Sequence, residues 1–239
     1  MRPIGENSTK PSNGLNSRPA VVCDFDDTTV LENVAQMLLQ EFGGDGWREY
    51  QRQNTNHRMS LMRYQELAFS TVTASREAMK ALVKERVTLR PHFRSLFEYC
   101  RKQNVPLAIA SMGLDFYVEA LLEREEMESI PFYTVDTQFS PQGINFGYRY
   151  TWEQCWQPGN CKCRAIEEYR KKGHSILFAG DGKSDICPAT KKSDMVFARR
   201  YLEEHFQEQG LSYTQLTDFS PIVNALRAID YANGGTDLR

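Results

Sequence analysis

The stretch RPAVVCDFDDTTV (residues 18–30) decides the fold, because it runs a short β-branched segment straight into three aspartates, Asp24, Asp26 and Asp27. An apolar run of this length with turn-prone residues on both sides reads as a buried strand. Carboxylates so close together repel one another, and a buried one without a partner is costly. The end of this strand must therefore meet positive charge, and the remaining segments should say where it comes from.

Outward from that strand, apolar runs alternate with amphipathic helices. VPLAIAS (105–111) follows the helical pattern PHFRSLFEYCRKQN (91–104), which opens on Pro and closes on Asn. HSILFAGD (174–181) follows CKCRAIEEYRKKG (161–173), closed by Gly173, and SDMVFA (193–198) comes after another short helix. Continuous apolar strands separated by helices indicate a parallel sheet covered on both faces. The expected fold is α/β, a doubly wound, Rossmann-like parallel sheet, which binds its ligands outside the carboxyl ends of the strands.

Two segments break the rhythm. Residues 32–88 carry helical periodicity in NVAQMLLQEF, SLMRYQELAF and SREAMKALVKERV, the last with Ser75 as N-cap. An all-helical insertion directly after the first strand has the makings of a cap, leaving 19–31 and 89–239 as the core. FYTVDTQFSPQGINFGYRY (132–150) reads instead as two strands around a Ser-Pro-Gln-Gly turn. Residues 1–18, rich in Ser, Asn, Gly and Pro and without an apolar h-region, read as a disordered leader.

Composition narrows the function. With 29 basic and 31 acidic residues among 239, and no basic stripe interleaved with aromatics, nucleic acid is not an expected partner. No apolar run approaches the ~20 residues of a membrane span, so a cytoplasmic protein is expected. Six cysteines then read as free thiols rather than a disulfide framework. Cys155, Cys161 and Cys163 crowd together without a standard zinc spacing, and packing, a redox-sensitive loop or a metal are all open to them. His57, His92, His174 and His205 stand singly and read as structural or surface residues, and Trp47, Tyr50 and Tyr64 as core of the helical insertion.

The polar residues fall at the strand ends. Asp24 and Asp26 close the first strand and Ser111 closes VPLAIA; GDGKSD (180–185) brings Asp181 and Asp185 to the end of SILFA, and Lys162 opens the helix before it. Such convergence on a ligand-binding edge suggests chemistry. Hard carboxylate oxygens suit Mg²⁺, which keeps waters and bridges to phosphate. Asp24 is then the nucleophile on phosphorus, and Asp26 the acid and base for leaving group and water. Asp24, Asp181 and the Asp26 backbone carbonyl are the expected metal ligands. Ser111, Lys162 and the backbone around Gly113 are expected to hold the phosphoryl oxygens of a small-molecule phosphomonoester.

DFDDT, IAS, Lys162 and GDGKSD resemble the four motifs of the haloacid dehalogenase (HAD) superfamily of phosphatases. The insertion between the first two motifs resembles the cap of the phosphoserine-phosphatase-like branch. ASMGLDFYVEALL (110–122) and VFARRYLEEHFQEQGLSYTQLTDF (196–219) are similar to the MtnX-type methionine-salvage phosphatases, which act on 2-hydroxy-3-keto-5-methylthiopentenyl 1-phosphate. GDGKSDICP and the Cys-rich run resemble the phosphoethanolamine/phosphocholine phosphatases. The resemblance spans roughly residues 20–225 and implies that Asp185 orients Lys162 and the metal's waters rather than binding the metal itself, while Asp27 fills a variable slot as a solvated turn residue. Phosphoserine phosphatases carry a Glu nine residues after the nucleophile; here Asn33 stands there, with Glu32 beside it as the substitute. A phospho-accepting signalling module, similar to a receiver domain, is the alternative of another class, and a phosphomutase a third. Asp26, an acid/base two residues after the acceptor, favours turnover and hence the phosphatase.

Overall fold

The computed structural model of the chain describes residues 18–155 and 157–232, so most of the leader expected at 1–18 lies outside the described residues. Seven strands form one sheet: β1 (Pro19–Cys23), β2 (Leu107–Leu114), β3 (Phe132–Ser140), β4 (Gly143–Gly147), β5 (Ser175–Gly180), β6 (Met195–Ala198) and β7 (Thr214–Gln215), in the order β4-β3-β2-β1-β5-β6-β7. All pairings are parallel except β3–β4, the hairpin around the Ser-Pro-Gln-Gly turn. The α/β parallel core expected from the sequence is therefore present, with one antiparallel strand at its edge.

Among the described residues ten α-helices accompany the sheet: α1 (Val34–Phe42), α2 (Trp47–Thr55), α3 (Leu61–Phe69), α4 (Arg76–Arg86), α5 (Phe93–Gln103), α6 (Asp115–Arg124), α7 (Lys162–Arg170), α8 (Ile186–Lys192), α9 (Arg200–Glu208) and α10 (Ser220–Ala232). The two-residue period of the strands sorts side chains into two cores. Val21, Cys23, Ile109, Leu177 and Ala179 pack with Phe93 and Leu96 of α5, α6 and Ile222 of α10. Ala20, Val22, Ala110, Ile176 and Phe178 pack on the other face with Ala165 of α7, Ala189 of α8 and Leu202 of α9. Both faces are dry, which is why these strands read as unbroken apolar runs.

β1 pairs with β2 on one side and β5 on the other, so strand order reverses direction at β1. A crevice opens at such a reversal, outside the carboxyl ends of the strands. Helices α1–α4 occupy the stretch between β1 and α5. Asn33, Ser60 and Ser75 cap α1, α3 and α4 by accepting the N–H groups of Gln36, Arg63 and Ala78. α2 lies inside the stretch expected to be helical but was not singled out there, because WREYQRQNT is strongly polar and buries only Trp47. Val30 and Leu89 pair as an antiparallel bridge where the chain leaves the sheet and returns. α4 is tied to α6 by Arg76–Glu119 (2.6 Å), Lys80–Glu119 (2.9 Å) and Lys80–Glu123 (2.9 Å).

Candidate active site

After β1 the backbone stays paired, Asp24 N–H donating to Ala179 O at 2.9 Å, and then turns sharply. Wide turns close from Thr29 N–H to Asp24 O (3.3 Å) and from Val30 N–H to Phe25 O (3.1 Å), with Asp26 extended and Asp27 left-handed (φ 57°). The buried guanidinium of Arg90 fixes this loop, donating to the carbonyls of Asp27 (2.7 Å), Thr28 (2.7 Å) and Val30 (3.2 Å). Arg199 adds a bond to Asp27 O at 2.8 Å. The loop thus points Asp24 and Asp26 to different partners.

Asp24 meets the positive charge its burial requires: Lys162 Nζ lies 2.7 Å from Asp24 Oδ1 and 2.6 Å from Asp185 Oδ1. Asp185 is fully buried and its other oxygen accepts the N–H groups of Asp181 (3.0 Å) and Gly182 (2.9 Å). Gly180 permits this fold-back, since a Cβ there would sit 2.5 Å from Asp185 Cγ. Thr28 Oγ1 donates to Asp181 Oδ1 at 3.3 Å. Arg200 reaches Asp181 Oδ2 at 3.6 Å and pairs with Asp27. Asp27 is therefore engaged through its carbonyl and carboxylate, not the solvated turn residue expected; the arginines that hold it come from just before α5 (Arg90) and from just past β6 (Arg199 and Arg200).

Charge at the site is unbalanced. Asp24, Asp181 and Asp185 bring ligand oxygens within 4.8 Å of one another, against one buried ammonium. Burial, then the Asp185 charge, raises the Asp24 carboxyl while Lys162 pulls it down; burial, Asp185 and Asp27 push Asp181 up to about 7. The partnering carboxylates keep Lys162 protonated in spite of its burial. A buried, oxygen-only, excess-negative set fits a hard divalent cation such as Mg²⁺. The Asp26 carboxylate lies apart from that group: Oδ1 accepts Val34 N–H at 2.6 Å and Oδ2 accepts Tyr117 Oη at 2.9 Å. Burial raises it to about 6, with the Tyr117 bond opposing.

Ser111 is buried inside β2 rather than closing the strand as expected, in the stretch between Ala110 and Leu114 where the register to β3 shifts. Gly113 N–H donates to Ser111 Oγ at 3.0 Å, which leaves the hydroxyl proton free to turn toward an incoming oxygen. A Cβ on Gly113 would lie 2.0 Å from Tyr117 Oη and 3.0 Å from Asp26 Oδ2. The glycine is there for the Tyr117–Asp26 pair, while its N–H, expected to bind phosphate, is engaged by Ser111.

These groups line one cavity of about 300 Å³, roofed by α1, α2 and α3. Gln51, Asn54, Leu61, Tyr64, Gln65 and Phe69 face it, and none of the side chains it receives from residues 32–88 is charged. Gln65 also donates to Met112 O at 3.1 Å, joining α3 to β2 beside Ser111. Glu32 is turned away, accepting Thr88 N–H at 2.9 Å. Tyr64 is at the cavity, Trp47 is core, and of the four histidines only His57 lies near, exposed, with Nε2 3.2 Å from Lys183 Nζ. Sequence reasoning missed Tyr117 and Arg90, which read as ordinary helix and linker residues.

The profile of a family described as "Putative Phosphatase" matches residues 20–217. The chain is 25% identical over 222 residues to a 2-hydroxy-3-keto-5-methylthiopentenyl-1-phosphate phosphatase of Brevibacillus brevis, covering 90% of this chain and 98% of that one. A phospho-aspartyl intermediate analogue of phosphoserine phosphatase superposes with TM-score 0.66 at 14% identity, covering 88% and 99% of the two chains. A probable phosphoserine phosphatase from Vibrio cholerae gives TM-score 0.70 at 15% identity, covering 93% and 68%. Among the described residues no helix is long and apolar enough to cross a membrane.

Proposed function

Because the chain belongs to the family described as "Putative Phosphatase", and is a phosphoric monoester hydrolase of the HAD type, we propose that Asp24 takes the phosphoryl group of a small, uncharged phosphomonoester. The substrate that fits this reading is 2-hydroxy-3-keto-5-methylthiopentenyl 1-phosphate, as in methionine salvage, in a cytoplasmic setting that suits six free cysteines. One observation carries the choice: the roof of the cavity contributes amides, a phenol and apolar side chains but no charge. Phosphoserine would leave an ammonium and a carboxylate there without counter-charges, and desolvating an unpaired charge is expensive. A hydroxy-ketone suits Gln51, Asn54 and Gln65, and a thioether suits Leu61 and Phe69.

Asp24 Oδ attacks phosphorus while Lys162 and Ser111 hold the phosphoryl oxygens, with Asp185 keeping Lys162 in place. Asp26, poised near 6 by burial, protonates the departing alkoxide and then deprotonates the water that cleaves the aspartyl-phosphate. Asp24, Asp181 and the Asp26 carbonyl would hold Mg²⁺, which when bound supplies the positive charge this carboxylate set lacks and polarises the phosphoryl group. A long-lived phospho-signal has no use for Asp26, which favours turnover.

The test is a comparison of kcat/KM with Mg²⁺ for the methylthiopentenyl ester, phosphoserine, phosphoethanolamine and phosphocholine. The uncharged ester should lead. Preference for phosphoserine or for a cationic ester would overturn the substrate, and no hydrolysis of any would overturn the reaction.

A further inference from the structure

Four of the six cysteines meet outside the catalytic cavity. Cys155, Cys161 and Cys163 come from the loop before α7 and its first turn, and Cys187 from the first turn of α8. Cys163 Sγ donates to Cys187 Sγ at 3.4 Å, and Cys161 interacts with the thiols of both Cys155 and Cys163. The sulfurs form a string, 155–161–163–187. A tetrahedral zinc site needs a closed set instead, and among the described residues only Asp24, Asp181 and Asp185 bring three such ligand atoms within 4.8 Å of one another.

We propose that Cys163 and Cys187 are a modification site, joined into a disulfide by a peroxide, and that the cross-link shuts down the neighbouring catalytic ion pair. Cys163 follows Lys162 directly and Cys187 stands two residues after Asp185, while Lys162 Nζ and Asp185 Oδ1 are 2.6 Å apart. The string thus runs behind the contact that orients the lysine. Half-buried Cys187 is reached first. Its sulfur attacks the O–O bond, giving a sulfenic acid and one water. Cys163 Sγ then attacks that sulfur and expels the oxygen, which takes up the Cys163 thiol proton and leaves as a second water. The sum is two thiols and one hydrogen peroxide to one disulfide and two waters.

Forming the bond shortens 3.4 Å to about 2.05 Å. The shift of more than an ångström falls on the first turns of α7 and α8, one and two residues from Lys162 and Asp185. Misplacement on that scale in a catalytic group costs on the order of 10²-fold.

The test uses the full chain, purified reduced, desalted and treated with hydrogen peroxide. Intact mass should fall by two hydrogens, and a non-reducing peptide map should join the peptide of Cys163 to that of Cys187. Hydrolysis of a generic phosphomonoester should drop by roughly ten- to a hundred-fold and return with dithiothreitol. Cys187→Ser and Cys163→Ala should each keep basal activity and lose the cross-link and the reversible inhibition. A link between Cys155 and Cys161 instead, stoichiometric zinc in the reduced protein, or full activity in the cross-linked form would each overturn the proposal. The mass readout does not depend on the catalytic reading, so its failure is distinguishable from a wrong phosphatase assignment.

Discussion

Tyr117 Oη donates a 2.9 Å hydrogen bond to Asp26 Oδ2, from a ring that is wholly buried between β2 and the loop after β1. The bond stabilises the carboxylate, opposing the burial that raises Asp26 to about 6. Tyr117→Phe should therefore move the Asp26 limb of the pH–rate profile to higher pH while the stacked contact with Phe25 is kept. A limb that stays in place would show that the phenol does not tune Asp26.

Asp26→Asn keeps the backbone carbonyl and both neighbours but removes the transferable proton. Turnover should fall by roughly 10²–10⁴-fold, the usual contribution of general acid–base catalysis, with little change in KM. Steady-state kinetics at the pH optimum would decide it, and a rate near that of the wild type would assign Asp26 another role.

The parallel core was legible because β1, β2 and β5 are buried on both faces and write that burial as unbroken apolar runs. The positions of Asp24 and Asp181, each the first residue past its strand, followed from the same runs; Ser111 instead lies inside β2, which continues to Leu114 after its register to β3 shifts. Tyr117 was not legible: in LDFYVEALL it is one aromatic among apolar helix residues, and only the missing Cβ of Gly113 lets its hydroxyl through. Arg90 and Arg200 were hidden for another reason. They act on the aspartate loop from more than sixty and more than a hundred and seventy residues away in sequence, and no periodicity encodes such a pairing. The role of Glu32 failed on direction, because its carboxylate serves Thr88 N–H at the base of the helical insertion.

The carboxylate excess also sets a pH dependence for the metal-free protein. Asp181 is raised from 3.8 to about 7 and Asp24 and Asp26 shift the same way. A raised folded-state pKa means that the native state binds protons the unfolded chain has released. That stability is fully present below about 3.8 and is lost as pH rises through about 7. Thermal melts in EDTA should therefore fall between pH 5.5 and 8 (on the order of the window these shifts define), and Asp181→Asn should flatten the slope. Added Mg²⁺ should raise the melting temperature more at pH 8 than at pH 6. A melting temperature that climbs with pH in EDTA would contradict the charge balance.

Lys162→Met removes the one ammonium that Asp24 and Asp185 share. Breaking a buried pair from one side costs about 3–5 kcal/mol, so urea unfolding at pH 8 should show a loss of that order, smaller at pH 6 where the carboxylates take up protons. Activity should vanish at both. Unchanged stability would mean that the pair contributes no net attraction.

The nucleophile itself is testable through an adduct. If Asp24 attacks phosphorus, beryllium trifluoride should bind Asp24 as a mimic of the aspartyl-phosphate, with its fluorines standing in for phosphoryl oxygens and facing Ser111 and Lys162. Formation should require Mg²⁺, and EDTA should abolish both the adduct and turnover. Asp24→Asn should lose both as well, yet remain folded, because Lys162 keeps its 2.6 Å contact with Asp185. It should melt higher than the wild type in EDTA, since one of three carboxylates crowded within 4.8 Å has been neutralised. Fluorine NMR of the treated enzyme, paired with melts of both forms, reads every part of this. An adduct on another residue, or turnover by Asp24→Asn, would show that a different group attacks. A variant that loses activity but melts lower would assign Asp24 a structural debt to Lys162 that outweighs the repulsion it brings.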